Sequence, residues 1–513
     1  MSVRISNNTM EVFNPATSEG IQQIPMTSLK ELQNILESLK RGAESYNYSS
    51  FFLRQKLMNQ LGRGIVKYMD EFIHTICSET GKKHDEGLME IFISLEHLKQ
   101  SSHYLYEALG KRNRRIGILK TRKAWVEYEA MGVAGIISPW NYPLILAVSP
   151  MVEAMLAGNT VVLKPSEHTP LTTKLLKKVW DESTEQPDLF QPVFGAGEVG
   201  NAMVTSPLTD VICFTGSTQI GRKIAEACSP LFKPVILELG GKDPMIILED
   251  ADIDRSLEAA VWGGMSNAGQ TCISVERIFA QEKIYPDVIE KLKEKIHSLT
   301  SGKGDTSIGA ISVDANLEKI KNQIKDAKIH SEVIEGNADE GWFIPPCLVI
   351  NPPFEAKILK EETFGPVMTL HPFQTDIEAI ELANKTGYGL SASVFGKNKK
   401  RLKNISRRVQ AGAVVINDVI THYGISDLPF GGKGLSGIGK VHGREGLRAF
   451  SHQKSYLSNR ISFKSEFWWY KRRFSNWYNG NDGCNFCNEW FECGRYGYRS
   501  NHCFTSNVKT RLR

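Results

Sequence analysis

From Gly132 onward the chain alternates short β-branched runs with helical patterns, and no other feature limits its fold so tightly. Val133 to Ile137, Thr160 to Leu163, Val211 to Phe214, Val235 to Leu237 and Met245 to Leu248 read as strands, with helical spacing between several of them. Alternation of this kind predicts an α/β fold in which a largely parallel sheet is covered on both faces. A second series follows Glu238, with strand-like Val275 to Phe279, Val367 to Leu370 and Ala413 to Ile416 separated by amphipathic helices such as Pro286 to Leu299. At 513 residues the chain is longer than one core usually serves, and two α/β domains are the economical reading. Near the start, Ser28 and Glu31 have capping-box spacing ahead of the apolar stripe Leu29, Leu32, Ile35, Leu36 and Leu39, which predicts an amphipathic helix. Lys111 to Glu129 is basic, β-branched and outside both series, and reads as an extended arm or hairpin.

Charge narrows the partners. The net charge of +5 comes from the last 53 residues, which hold nine Lys or Arg against four Asp or Glu, so the preceding 460 carry 53 of each sign. A neutral body has no electrostatic footprint for nucleic acid, and a small-molecule partner is expected instead. The polar first twenty residues contain no apolar signal core, and no apolar run is long enough to span a bilayer, so a cytoplasmic protein is expected. Cys77, Cys213, Cys228, Cys272 and Cys347 are scattered singly, the pattern of buried thiols or a nucleophile rather than a disulfide frame.

Several segments could carry chemistry. In N-A-G-Q-T-C-I-S, small and polar residues lead into Cys272 directly before a strand, where a thiol could open to substrate; packing is the plainer role for one cysteine. Glu238 ends an apolar strand and precedes two glycines, at the strand edge where parallel sheets bind ligands, though a solvated strand-end charge looks the same. P-W-N-Y-P at Pro139 to Pro143 offers the Asn141 amide as a donor to a developing oxyanion, or simply as a turn former. G-A-G-E-V-G at Gly195 to Gly200 matches the dinucleotide fingerprint but lacks an acidic ribose partner about 20 residues on. F-T-G-S-T-Q-I-G is the better phosphate candidate: a strand, a turn at Gly216 and Ser217, then helical spacing over Thr218 to Cys228, whose first amides would face an anion.

In this order, P-W-N-Y-P, L-K-P-S-E at Leu163 to Glu167, F-T-G-S, E-L-G-G-K, G-Q-T-C and E-E-T-F-G-P at Glu361 to Pro366 closely resemble the aldehyde dehydrogenase superfamily over about Asn14 to Ser455. The resemblance implies a Rossmann-type NAD-binding domain (1–110 and 130–238), an α/β catalytic domain (239–425), and a β oligomerisation arm with bridging segments (111–129 and 426–457). It implies Cys272 as the nucleophile, Glu238 as the base for thioester hydrolysis, and Asn141 with the Cys272 amide as the oxyanion site. Trp140, Lys164, Glu167, Gly216, Ser217, Glu362 and Phe364 would hold the cofactor, NAD or NADP; Glu167 would repel a 2′-phosphate and so favours NAD, although family members with such a glutamate can use both. Tyr142, Ile145, Leu146 and Phe430 would line the aldehyde tunnel. Their apolar character suggests an aliphatic, aromatic or polyene aldehyde over a semialdehyde acid such as succinic semialdehyde. A homodimer or homotetramer is implied as well. Retention of Cys272, Glu238 and Asn141 together argues against an inactive binding protein on the same fold.

Beyond Leu457 the periodicity stops. Cys484, Cys487, Cys493 and Cys503, with His502, have spacings that fit no ordinary zinc pattern, so no metal is expected. Phe467, Trp468, Trp469 and Tyr470 beside Lys471, Arg472 and Arg473 suit a peripheral membrane contact. The reading preferred for 458–513 is an unstructured tail that, past Tyr470, is unselected sequence such as a shifted reading frame.

Overall fold

The structure, a computed structural model, describes residues 2–462 other than 7 and 118, together with Trp469. The tail cysteines and the aromatic-basic cluster lie outside the described residues, Trp469 apart. The chain divides into two compact units. The first holds Met1–Arg112 and Val126–Lys454, and the second, among the described residues, holds Asn113–Trp125 and the chain from Ser455.

Two sheets organise the first unit. One has six strands in the order Gly437–Ile438, Val235–Glu238, Val211–Thr215, Val133–Ile137, Thr160–Lys164, Phe190–Pro192, parallel except for the first. The chain enters at Val133–Ile137, builds outward to Phe190–Pro192, then returns to build the other way from Val211–Thr215. The order therefore reverses between Ile137 and Thr215, the position at which such sheets open a crevice beyond the carboxyl ends of their strands. Ile137 pairs with Phe214 and Thr215 with Glu238, so three adjacent strands end in register.

The other sheet has seven strands in the order Glu332–Glu335, Cys347–Ile350, Val367–Phe373, Val275–Gln281, Asp243–Ile247, Ser391–Phe395, Ala413–Ile416. Only Glu332–Glu335 runs antiparallel to its neighbour. The run beginning at Met245, grouped in sequence with the first series, thus belongs to this sheet. A parallel return into the first sheet needs a crossover of a dozen or more residues, whereas only Leu239 to Lys242 separate the two strands.

The helix predicted at Leu29 spans Leu29–Tyr46, and its capping box forms: Glu31 N donates to Ser28 Oγ at 3.2 Å and Ser28 N to Glu31 Oε2 at 2.8 Å. Leu32, Leu36 and Leu39 are buried on its inner face. Helices at Thr218–Cys228 and Tyr285–Ser298 also follow the sequence pattern. A small antiparallel sheet of Val3–Ser6, Thr9–Phe13 and Gly20–Pro25 was not expected, because its strands are polar; only Met10, Val12 and Ile24 are buried.

The arm stretch forms Arg112–Arg114 and Arg122–Ala130, joined by Ser451–Asn459 in a three-stranded sheet with Arg122–Ala130 in the middle. Trp125 stacks on Tyr456, ring centroids 5.1 Å apart, and Arg460 N donates to Thr121 O at 2.8 Å. No helix among the described residues is long and apolar enough to cross a membrane.

Ser28→Ala removes the cap while leaving the buried stripe intact. It should cost about 1 kcal/mol, read as a small drop in the denaturation midpoint with an unchanged slope.

Candidate active site

The strand ends of the first sheet meet the strand starts of the second. Leaving Glu238, the chain crosses in four residues to Asp243, which pairs with Val275 just after Cys272. Gly240 and Gly241 make the crossing possible. A Cβ at Gly240 would meet Glu362 Oε2 at 2.6 Å, and one at Gly241 would meet the Cys272 carbonyl at 2.4 Å. Glycine here lets the base candidate, the thiol loop and Glu362 converge.

Cys272 is half-buried after a strained turn in which Asn267 and Ala268 both have φ of 54°. Non-glycine residues in this region persist only when neighbours hold them. Here Asn267 N donates to Glu86 Oε1 at 2.5 Å, and Asn267 Nδ2 donates to Asn141 O at 3.0 Å. Asn141 is buried; its Nδ2 donates to Gln270 O at 2.8 Å, leaving one N–H for another acceptor. Its carbonyl also accepts from Lys82 Nζ at 2.8 Å, and Lys82 is held by the buried Glu90 at 3.1 Å. Glu90 Oε1 in turn accepts from the backbone N–H of Leu144 and Ile145. The turn after Asn141 is therefore pinned by the helix His84–His103.

Two cavities meet at Cys272 and Glu238. One, of about 630 Å³, extends past Trp140, Asn141, Gly216, Ser217, Glu362 and Phe364. The other, of about 370 Å³, is walled by Leu146, Pro150, Leu239, Tyr423, Phe430 and Val441, with Ser149 and Thr215. Leu146, Thr215 and Leu239 border both. Neither oxygen of the buried Glu238 carboxyl has a hydrogen-bond partner among the described residues. Burial lifts Glu238 well above the usual carboxylate range, with Lys440 pulling the other way and Glu153 adding to the rise. Burial, then the carboxyls of Asp243, Glu362 and Glu238, pushes the Cys272 thiol up as well.

The larger cavity suits a dinucleotide. Ser217 caps the helix Thr218–Cys228, its Oγ accepting from Ile220 N at 3.4 Å, and Gly216 and Ser217 at the start of that helix line the cavity. Glu362 is held by Gly241 N at 3.0 Å, and burial followed by the nearby Glu276 charge raises it to about 7. Phe364 and Trp140 meet edge to face at 5.4 Å. Lys164, at the end of its strand, lies 3.6 Å from Glu167 and is held below its ordinary value by burial. This pair is set apart from the lining of the larger cavity. Of the four tunnel candidates, Leu146 and Phe430 line the smaller cavity. Tyr142 instead shares a hydrogen bond with Thr271 Oγ1 at 2.7 Å, and Ile145 is buried in its helix.

Several supporting residues escaped the sequence reading. Glu276 accepts from Thr363 N and Phe364 N at 3.0–3.1 Å and pairs with the buried Lys242, so it fixes the Glu362 loop. The signal was present: a strand buried along almost its whole length contains the charged pair Glu276 and Arg277. Lys82, Glu86, Glu90 and Ser149 carried no comparable local mark. Among the described residues no cluster of His, Cys, Asp or Glu has the arrangement of a metal site.

The model of the aldehyde dehydrogenase family matches residues 3–456. A 4,4'-diapolycopene aldehyde oxidase of Methylomonas sp is 32% identical over 484 residues, covering 92% of this chain and 90% of that protein. The betaine aldehyde dehydrogenase of Staphylococcus aureus, solved in complex with NAD+, superimposes with a TM-score of 0.85 at 28% identity, covering 90% of this chain and 94% of the other. An aldehyde dehydrogenase from Bacillus cereus gives a TM-score of 0.84 at 30% identity, with 88% and 94% covered. The chain belongs to the aldehyde dehydrogenase family, a family of NAD(P)-dependent oxidoreductases.

Glu276→Ala would leave Lys242 buried without its counter-charge. It should destabilise the fold by about 3–5 kcal/mol in urea titrations.

Proposed function

We propose that this protein oxidises an apolar aldehyde to its carboxylic acid with NAD and water, through a covalent adduct on Cys272. The observation that carries the reading is the position of Cys272 and Glu238 together at the junction of two cavities, one of dinucleotide character and one apolar. The thiol must release its proton to solvent as the sulfur attacks the carbonyl carbon, a step that burial of the thiol opposes. The resulting oxyanion accepts from the Cys272 backbone amide and from the Asn141 N–H not engaged by Gln270. When bound, the oxidised dinucleotide would supply the hydride acceptor, and loss of hydride from the adduct carbon leaves a thioester on Cys272.

Ser217 and the helix start behind it would hold the pyrophosphate, Glu362 the nicotinamide ribose, and Lys164 with Glu167 the adenosine ribose. The Glu167 carboxylate favours NAD over NADP. Water then attacks the thioester while Glu238 takes its proton; the C–S bond breaks and the sulfur leaves as thiolate. A carboxyl without hydrogen bonds among the described residues is free to bind that water, and its raised pKa makes it a stronger base.

The smaller cavity supports the apolar substrate reading. Among the described residues no Arg or Lys lines it, so a substrate carboxylate would find no counter-charge. Apart from Glu238 and Cys272, where the two cavities meet, the polar residues there are Ser149, Thr215 and Tyr423, which bear no charge at neutral pH. The free thiols of Cys77, Cys213, Cys228, Cys272 and Cys347 suit a reducing, cytoplasmic setting. The outer strand Ser451–Asn459 suits a homodimer or homotetramer.

Cys272→Ala should abolish NADH formation from every aldehyde. Glu238→Gln should give one rapid burst of NADH per site, followed by steady turnover reduced about a hundredfold or more; an undiminished steady rate rejects Glu238 as the base. Glu362 offers a pH test. Its ionised form is the better acceptor of ribose hydroxyls, so NAD should bind more tightly as pH rises through about 7, and Glu362→Gln should flatten that dependence in calorimetric titrations.

A further inference from the structure

The helices Phe51–Lys67 and His84–His103 lie side by side and antiparallel. Gln55 Nε2 donates to Ser102 O at 2.6 Å near one end, and Gly62 faces Leu95 and Leu98 further along. Each helix turns one row of side chains outward at the three- and four-residue spacing of a single face. The first row is Phe52, Lys56, Asn59, Arg63 and Val66, and the second is Met89, Phe92, Glu96, Lys99 and His103.

Between the rows runs an open groove of about 1270 Å³, bordered by Phe52, Lys56, Arg63, Lys99 and His103 and by no carboxylate. Lys56, Arg63 and Lys99 form no ion pair among the described residues, although exposed cations elsewhere on the molecule do, such as Arg4, Lys283 and Lys454. Glu96, the acidic member of the second row, accepts from Gln100 Nε2 at 2.6 Å, and Asp85 lies beyond Met89 at the far end of that helix. Apolar side chains flank the cations at both ends. Phe52 is 71% exposed and Tyr106 59% at one end; Val66, Met89 and Phe92 are each more than half exposed toward the other.

We propose that this two-helix face is a docking surface for an anionic phospholipid bilayer, with Lys56, Arg63 and Lys99 on headgroup phosphates and Phe52, Phe92 and Tyr106 among the upper acyl chains. Charge complementarity selects an anionic partner, and the flanking rings select a bilayer. A soluble anion or an acidic peptide would neutralise the cations and leave the aromatic side chains in water, whereas the headgroup boundary accepts both. The inner face of the same helix fits this role. His97, four residues from Ser101 and buried, shares a hydrogen bond with Ser149 Oγ at 3.1 Å, and Ser149 lines the apolar cavity. Docking by the outer face would bring that cavity within about one helix diameter, roughly 10 Å, of the lipid. The benefit to an apolar aldehyde rests on the functional reading above; the surface itself does not.

The test uses the full chain and sedimentation with vesicles, without substrate. The protein should pellet with phosphatidylcholine vesicles containing phosphatidylserine and remain in solution with phosphatidylcholine alone. At about 1 kcal/mol for each basic residue, Lys56→Gln, Arg63→Gln and Lys99→Gln together should weaken binding about a hundredfold. Phe52→Ala with Phe92→Ala should weaken it too, and NADH formation from a short water-soluble aldehyde should be unchanged in both variants. Three results would overturn the proposal: no binding to the anionic vesicles, binding that survives the triple substitution and so arises elsewhere in the chain, or a lipid-free oligomer that dissociates in the double phenylalanine variant. Loss of NADH formation in the parent protein with vesicle binding intact would instead count against the catalytic reading alone.

Discussion

Everything at the active site depends on one short crossing, in which the backbone leaves the first sheet at Glu238 and enters the second at Asp243. Four residues cannot carry a strand back into its own sheet, so the carboxyl edge of one sheet must face the amino edge of the other. Gly240 and Gly241 bring the crossing within contact of Glu362 and of the Cys272 carbonyl. A carboxyl, a thiol and the cavity bordered by Ser217, Glu362 and Phe364 are thereby gathered from segments far apart in the chain. Enlarging either glycine would push apart the groups that the proposed mechanism brings to one carbon atom.

Around this crossing the site is stiffened by ionic groups kept from water. Lys82 with Glu90 holds the turn after Asn141, and Lys242 with Glu276 holds the loop of Glu362 and Phe364. Such pairs add little net stability, because desolvation offsets their attraction, but losing one partner is costly. Their contribution is position. Hydrogen bonds that Asn267 donates to Glu86 and to the Asn141 carbonyl similarly hold the left-handed turn ahead of Cys272, so that strain is stored where the thiol is presented.

How much of this could be read in the sequence depended on whether the signal was local. The helix Thr218–Cys228 and the capping box of Ser28 and Glu31 were legible because propensity, periodicity and cap chemistry act within a few residues. The segments bearing Asn141, Ser217, Glu238 and Cys272 stood out because turns at strand ends need glycine, proline and small polar residues. Sheet membership was less accessible: the run from Met245 looks like its predecessors in composition, and only the brevity of the link before it separates the two series. Least legible were the supports. Glu90 reaches Leu144 across 54 positions and Glu276 reaches Thr363 across 87, and nothing in a single sequence marks which carboxylate will be buried beneath which loop.

The carboxyl of Glu238 is buried with both oxygens lacking partners among the described residues, a condition that costs about 1–3 kcal/mol for each polar group so left. Natural selection for a sturdier fold would favour any neighbour able to satisfy it, and every such neighbour would occupy the space a water molecule needs. Under the role proposed for Glu238, robustness and turnover are thus set against each other at a single side chain, and heat-adapted descendants of this protein would have to find their extra stability somewhere else.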